Sequence, residues 1–203
     1  MAKTPILGRV KRRLGREIGN VAALRFYRHC LSHTLLRLAR DPRWQTTIAV
    51  TPDRDRGAPG WPRRITPMAQ GKGDLGRRMQ RLLVQAPPGP AIIVGSDIPQ
   101  LDPNHVAEAF RLLRGADAVF GRAPDGGYWL VGLKRIPHVL KPFANVRWSG
   151  PHALADTLDH LIGKRIAFVA TLGDVDTKED WQRERGTAER LIFVRQHAAT
   201  AII

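Results

Sequence analysis

Short aliphatic runs, each stopped by Gly, Pro or Asp, alternate along this chain with longer stretches whose apolar residues recur every three or four positions. That alternation restricts the fold most, because strands separated by helical crossovers join into a largely parallel sheet with helices on its faces. Residues 46–51 (TTIAVT), 91–94 (AIIV), 117–121 (DAVFG), 127–133 (GYWLVGL) and 165–172 (RIAFVATL) read as strands. A helix is expected from Asn20, as N-cap, to about Ala39, with Leu24, Tyr27, Leu31, Leu35 and Leu38 on one face. Others are expected through Leu75, Met79, Leu82 and Leu83, from Asp102–Pro103 to about Leu113, and from Pro151 to about Ile162. Thr177 and Asp180 resemble a capping box for a last helix. Residues 52–64, rich in Pro, Gly and Arg, read as a loop. The expected fold is an α/β sandwich.

Composition narrows the function. A length of 203 residues suits one domain, and 43% hydrophobic with 25% charged residues is an ordinary globular balance. No apolar stretch approaches the roughly 20 residues of a membrane span, and no leader pattern opens the chain, so a cytoplasmic protein is expected. The single cysteine, Cys30, excludes an internal disulfide and is read as a small buried hydrophobe. A net charge of +15 points to an anionic ligand, and the first 43 residues carry 11 Lys or Arg against Glu17 and Asp41. An arginine-rich composition without function accounts for part of that excess.

Besides the turn at 95–99, four loops hold polar and glycine residues that a core does not need. In GSDIP, 95–99, Asp97 falls at the C-terminal tip of a strand, the edge where open α/β sheets bind ligands; it is either a metal or ribose ligand or a turn former. In GRVKRRLG, 8–15, Gly8 and the cations after it suit a turn converging on phosphates, although the P-loop spacing is absent and a solvated basic turn is the alternative. QGKGDLGRRM, 70–79, sets glycines before a helix, allowing close backbone approach to a ligand. DGGYWLVGL, 125–133, opens with a tight-turn dipeptide, so Asp125 is a hairpin former or a ligand group. In GDVDTKED, 173–180, Asp174 and Asp176 could complement Asp97 around a divalent ion; capping explains one of the pair more easily than both.

In this order, KTPxxGRVKxRLG, QGxGDLGxRM, a strand ending GSDxP, APDGGYWLVGL and DVDTxED resemble the bacterial glycosyltransferase-like transferases of the GT-A superfamily. That family is related by fold to 2-phospholactate guanylyltransferase and molybdenum cofactor guanylyltransferase, and the resemblance runs from Lys3 to about Trp181. It implies a Rossmann-like three-layer α/β/α sandwich that binds a nucleotide diphosphate, with Mg²⁺ or Mn²⁺. By that resemblance Gly8, Lys11 and Arg13 hold phosphates, and Gln70, Gly71, Gly73, Asp74 and Gly76 lie near the base. Asp97, with Asp174 or Asp176, matches the metal ligands, and Asp125, Gly126, Gly127, Tyr128 and Trp148 border the acceptor. Three departures stand out. Met1 falls almost where the family's first strand should end, so residues 1–203 read as a single domain with a truncated first strand. The usual Lys-Thr-Arg-Leu is Lys11-Arg12-Arg13-Leu14, and the usual Trp-Ser-Thr is Trp148-Ser149-Gly150.

The leading expectation is a metal-dependent glycosyltransferase that uses a nucleotide sugar and a small-molecule acceptor, with Lys11, Arg13 and Asp97 as its catalytic groups. The alternative is a nucleotidyltransferase, in which a phosphorylated acceptor attacks a nucleoside triphosphate and pyrophosphate leaves. A basic nucleic-acid-binding module leaves the aspartates unexplained, and a non-catalytic nucleotide-binding protein is the remaining rival.

Overall fold

The computed structural model describes residues 1–58, 61–62 and 65–185. Among these residues the elements follow in the order β1 (Ala2–Lys3), α1 (Arg12–Ile18), α2 (Asn20–Arg40), β2 (Thr47–Thr51), β3 (Thr66–Ala69), α3 (Leu75–Gln85), β4 (Ala91–Val94), α4 (Pro103–Leu112), β5 (Ala118–Arg122), β6 (Tyr128–Leu133), α5 (Ala153–Asp159) and β7 (Ile166–Val169). A 3₁₀ turn, Asp53–Gly57, precedes β3, and residues 178–185 are helical.

β1, β2 and β3 form a parallel set; β4, β6, β5 and β7 form a second set, in which β6 alone runs antiparallel to both neighbours. The two sets meet where the Met1 amine donates to Val94 O at 2.7 Å. This is the α/β sandwich with a mostly parallel sheet that the alternation implied. Helices cover both faces. Leu24, Tyr27, Leu31 and Leu35 of α2 pack on Ile48 and Val50, and Val106 and Ala109 of α4 pack with Val119, Trp129 and Leu130. On the opposite face Met79 and Leu83 of α3, with α5, cover Ala118, Phe120, Val131 and Leu133.

The neighbouring aromatics at the start of β6 are both taken into cores. A bulge pairs Gly121 with Leu130 but Arg122 with Tyr128, which turns Trp129 to the side of Leu130 and leaves Tyr128 against Phe120 on the other side. Gly121 makes this possible, because a Cβ there would collide with the Trp129 ring. The indole Nε1 donates to Ala170 O at 3.0 Å.

Local expectations fare unevenly. Asp102 and Pro103 open α4, where His105 completes a capping box, and Thr177 and Asp180 exchange hydrogen bonds as that motif requires. Cys30 is buried, and burial pushes its thiol up to about 12. The cap of α2 needs correction: Gly19, without a side-chain bond, precedes the helix, and Asn20 is its first residue. The expected 151–162 helix is shorter, with His152 as N-cap. Helix α1 and strand β3 are additions to the sequence reading.

Candidate functional site

Three segments deliver charged side chains to one end of the sheet. β4 ends at Val94, and Gly95-Ser96-Asp97 carries the chain out of the ladder. Ser96 lies near Tyr27 (Oγ to OH 3.4 Å), and the phenol donates to Lys3 O at 3.0 Å, so β1, α2 and this turn are fastened together. The segment after β7 brings Asp174 and Asp176, with Asp180 accepting from the Asp176 amide at 3.3 Å. Lys11 precedes α1 in a left-handed conformation, φ 43° and ψ 48°, which is unusual for a side chain with a Cβ.

That conformation accompanies an unexpected placement. Lys11 Nζ stands 2.7 Å from Asp97 Oδ2, 3.1 Å from Asp174 Oδ2 and 2.7 Å from Asp176 Oδ1. The Lys11 side chain is 4% exposed, against 29%, 38% and 47% for the three carboxylates. Burial alone would lower the Lys11 ammonium, but the charges of Asp97, Asp174 and Asp176 outweigh it and hold its pKa well above the ordinary value. For Asp174 burial comes first, with the charges of Asp176 and Asp97 behind it, and together they raise its pKa despite Lys11. With all four groups ionised the cluster carries two negative charges in excess, three carboxylates against one ammonium.

Beside the cluster lies a cavity of about 320 Å³ bordered by Asp97, Asp174, Asp125, Gly127, Tyr128 and Trp148. Asp125 has the turn role foreseen for it, its Oδ1 accepting from the Gly127 amide at 2.9 Å, and it faces the cavity as well. The turn is pinned to α5 by the Leu154 amide donating to Gly126 O at 3.1 Å. Trp148 leans on Tyr128 and Phe143, with ring centroids 6.4 and 6.3 Å apart. Its segment is clamped to α5 by Arg147, whose amide, Nε and NH2 all donate to Asp156, at 2.9, 2.9 and 2.7 Å.

The glycine-rich loop is built differently from the expectation. Gln70 is buried, and its amide donates to Ala2 O at 3.1 Å and Ala49 O at 2.9 Å, so this side chain serves the sheet. Asp74 caps α3 by accepting from the Arg77 amide at 2.8 Å. Arg81 donates to Gln70 O and Lys72 O, and Arg78 to Gly73 O, which ties the loop back onto its own helix. Gly8 takes φ 70° in the turn before Lys11, and Arg13 is exposed on α1. The structure thus gathers Lys11, Asp97, Asp174 and Asp176 into one cluster. It brings Asp125, Gly127, Tyr128 and Trp148 to the adjoining cavity and leaves Gln70 out. Sequence reasoning missed the Tyr27–Ser96 fastening and the Arg147–Asp156 clamp, which join residues far apart in the chain. It also took Leu75 and Met79 only as marks of a helix, although both line the cavity.

This mostly parallel α/β sandwich fits a GT-A-like transferase fold, on the likenesses that follow. The chain belongs to the family DUF2064, described as an uncharacterized protein conserved in bacteria, whose profile matches residues 34–150. Its fold is shared with a crystal structure from Desulfovibrio desulfuricans G20, provisionally named a nucleotide-diphospho-sugar transferase. The two are 30% identical over 87% of this chain and 80% of that one, with a TM-score of 0.77. Rv0371c from Mycobacterium tuberculosis H37Rv (17% identity, 76% of this chain and 82% of that one, TM-score 0.51) shares the fold. So does its homolog from Mycobacterium sp. strain JC1 (18%, 80% and 84%, 0.54). No curated protein matches the chain by sequence. Among the described residues no helix is long and apolar enough to cross a membrane.

Proposed function

We propose that the protein transfers a sugar from a nucleotide-diphospho donor to the hydroxyl of a small acceptor, with the help of a divalent ion. The observation that carries this reading is the convergence of Asp97, Asp174 and Asp176 within 3.1 Å of one point beside a ring-lined cavity. The kinship with the Desulfovibrio desulfuricans protein supports the donor class.

The carboxylates fit such an ion in charge and in chemistry: two surplus negative charges and hard oxygen donors suit Mg²⁺ or Mn²⁺. Among the described residues no three such ligands stand arranged around an ion as placed, because their oxygens converge on Lys11 Nζ instead. Asp97 with Asp174 or Asp176 would hold the ion once the ammonium withdraws, and the ion would neutralise charge on the leaving diphosphate. Lys11, so released, and Arg13 meet the same diphosphate, as electrostatic stabilisation of a leaving group requires. In the transfer, the acceptor oxygen bonds to the anomeric carbon and the bond from that carbon to the diphosphate oxygen breaks, its electron pair leaving with the nucleoside diphosphate. The acceptor proton passes to the site's carboxylates and on to solvent.

Thermal shift with nucleotide sugars, with and without Mg²⁺ or Mn²⁺, tests this. A donor at 100 times its dissociation constant should add about 2.7 kcal/mol of stability, only with metal present, and Asp97→Asn should abolish the gain. Equal binding with and without metal would end the metal role. Pyrophosphate release from a nucleoside triphosphate and a phosphorylated acceptor would replace glycosyl transfer with nucleotidyl transfer.

A further inference from the structure

The chain carries a net charge of +15, yet the cavity beside the carboxylate cluster is lined, among the described residues, by no lysine or arginine. Its charged side chains are Asp97, Asp125 and Asp174. The Met1 amine borders it too, but is engaged with Val94 O at 2.7 Å, and Lys11 is turned into the three carboxylates. The rest of the wall is apolar or aromatic, chiefly Leu75 and Met79 from α3, Ile93 from β4, and the rings of Tyr128 and Trp148. A volume of about 320 Å³ equals roughly ten water molecules at about 30 Å³ each, which admits a ring-sized body.

From this wall we infer that the acceptor is an uncharged or cationic molecule with an apolar, ring-sized body and a hydroxyl, and that it carries no phosphate or carboxylate on the part that enters the cavity. The inference rests on the transfer reading for the word acceptor, but the chemistry of the cavity stands apart from it. Bringing an anion against Asp97, Asp125 and Asp174, when Lys11 and the Met1 amine are already engaged and no lysine or arginine among the described residues lines the cavity, costs both desolvation and repulsion, so an anionic head is rejected rather than merely unrewarded. An ion held at Asp97 changes little, since its charge is already met by the donor's diphosphate. Apolar bodies gain from burial against Met79, Ile93 and Trp148, and a cationic group would gain further from the carboxylates and from the ring faces. The same wall counts against a phosphorylated acceptor, and so against nucleotidyl transfer.

The experiment compares two probes with one body, 2-phenylethanol and 2-phenylethyl phosphate, titrated into the full chain without metal and followed by tryptophan emission, since Trp129 and Trp148 line the cavity. The alcohol should bind saturably, and the phosphate ester about tenfold or more weakly, a gap of about 1.4 kcal/mol. Trp148→Ala should weaken the alcohol. Asp125→Asn keeps the turn-forming oxygen and should narrow the gap by improving the ester, a readout that does not depend on Trp148→Ala folding. Binding of the ester as tight as the alcohol, or no saturable binding of the alcohol, overturns the inference. Nucleotide-sugar thermal shifts run in parallel keep the two claims apart. A donor shift with preference for the ester sinks the acceptor class alone, whereas preference for the alcohol with no donor shift under any metal sinks the transfer reading alone.

Discussion

Lys11 carries the most information of any single side chain here. It bonds to Asp174 and Asp176 across 163 and 165 residues of sequence, a separation no local pattern reveals. The sequence reading placed three acids at strand tips and a cation near phosphates. It missed that the cation pairs with the acids, because a counter-ion is defined by position in space and not by spacing along the chain. Lys11→Met should destabilise the fold by about 1 to 2 kcal/mol in urea unfolding at neutral pH, short of the 3 to 5 kcal/mol of a fully buried pair because the carboxylates remain partly exposed. Lys11→Gly removes the same charge but also relieves the left-handed backbone, so it should lose less stability than Lys11→Met. If both variants match wild type, the cluster does not hold this end of the sheet together.

Among the elements, those with clean periodicity were legible. α2, α3 and α4, and the strands β2, β4, β5 and β6, lie where the apolar pattern puts them. β3 escaped because Pro67 argues against a strand, and the ladder tolerates it because β3 is an edge, paired only with β2. α1 escaped because its residues, RRLGREI, bury only Leu14 and Gly15 and so carry almost no apolar period. α5 shows how a short helix positions the site. Arg147's guanidinium, and then its amide, hold the Asp156 carboxyl well below its ordinary 3.8. A carboxyl depressed in the folded state stabilises above its unfolded value and loses that contribution as the pH falls through the folded value. The Trp148 segment should therefore stay docked at neutral pH and loosen only in acid below about pH 3.8, seen as a change in tryptophan emission before global unfolding. Asp156→Asn should reproduce the loosened state at neutral pH, where trypsin should cut after Arg147 faster than in wild type. Unchanged cleavage would show that the clamp does not order the segment.

Over the whole molecule, the alternating pattern revealed a mostly parallel sheet, and the Asp125 turn signalled one hairpin. How the strands are arranged in space was less visible. β6 lies between β4 and β5, an order imposed by packing on both faces of the sheet. Helix α3 touches the far side of the site through one contact that follows from the absence of a side chain. A Cβ on Gly76 would stand 2.5 Å from Phe143 O and 2.8 Å from Trp148 Cζ2, so the helix backbone rests directly on the Trp148 segment. The loop at residues 70–74 leads into that helix and is tied to it by Arg78 and Arg81. Whatever displaces the loop must therefore displace the aromatic wall of the cavity. In kinetic terms, on the transfer reading, this predicts synergy: a donor that settles the loop should tighten a pocket the acceptor already enters in its absence. The acceptor's dissociation constant should therefore fall as donor is raised, read by tryptophan emission. An acceptor affinity independent of donor would show that the helix and the wall move independently.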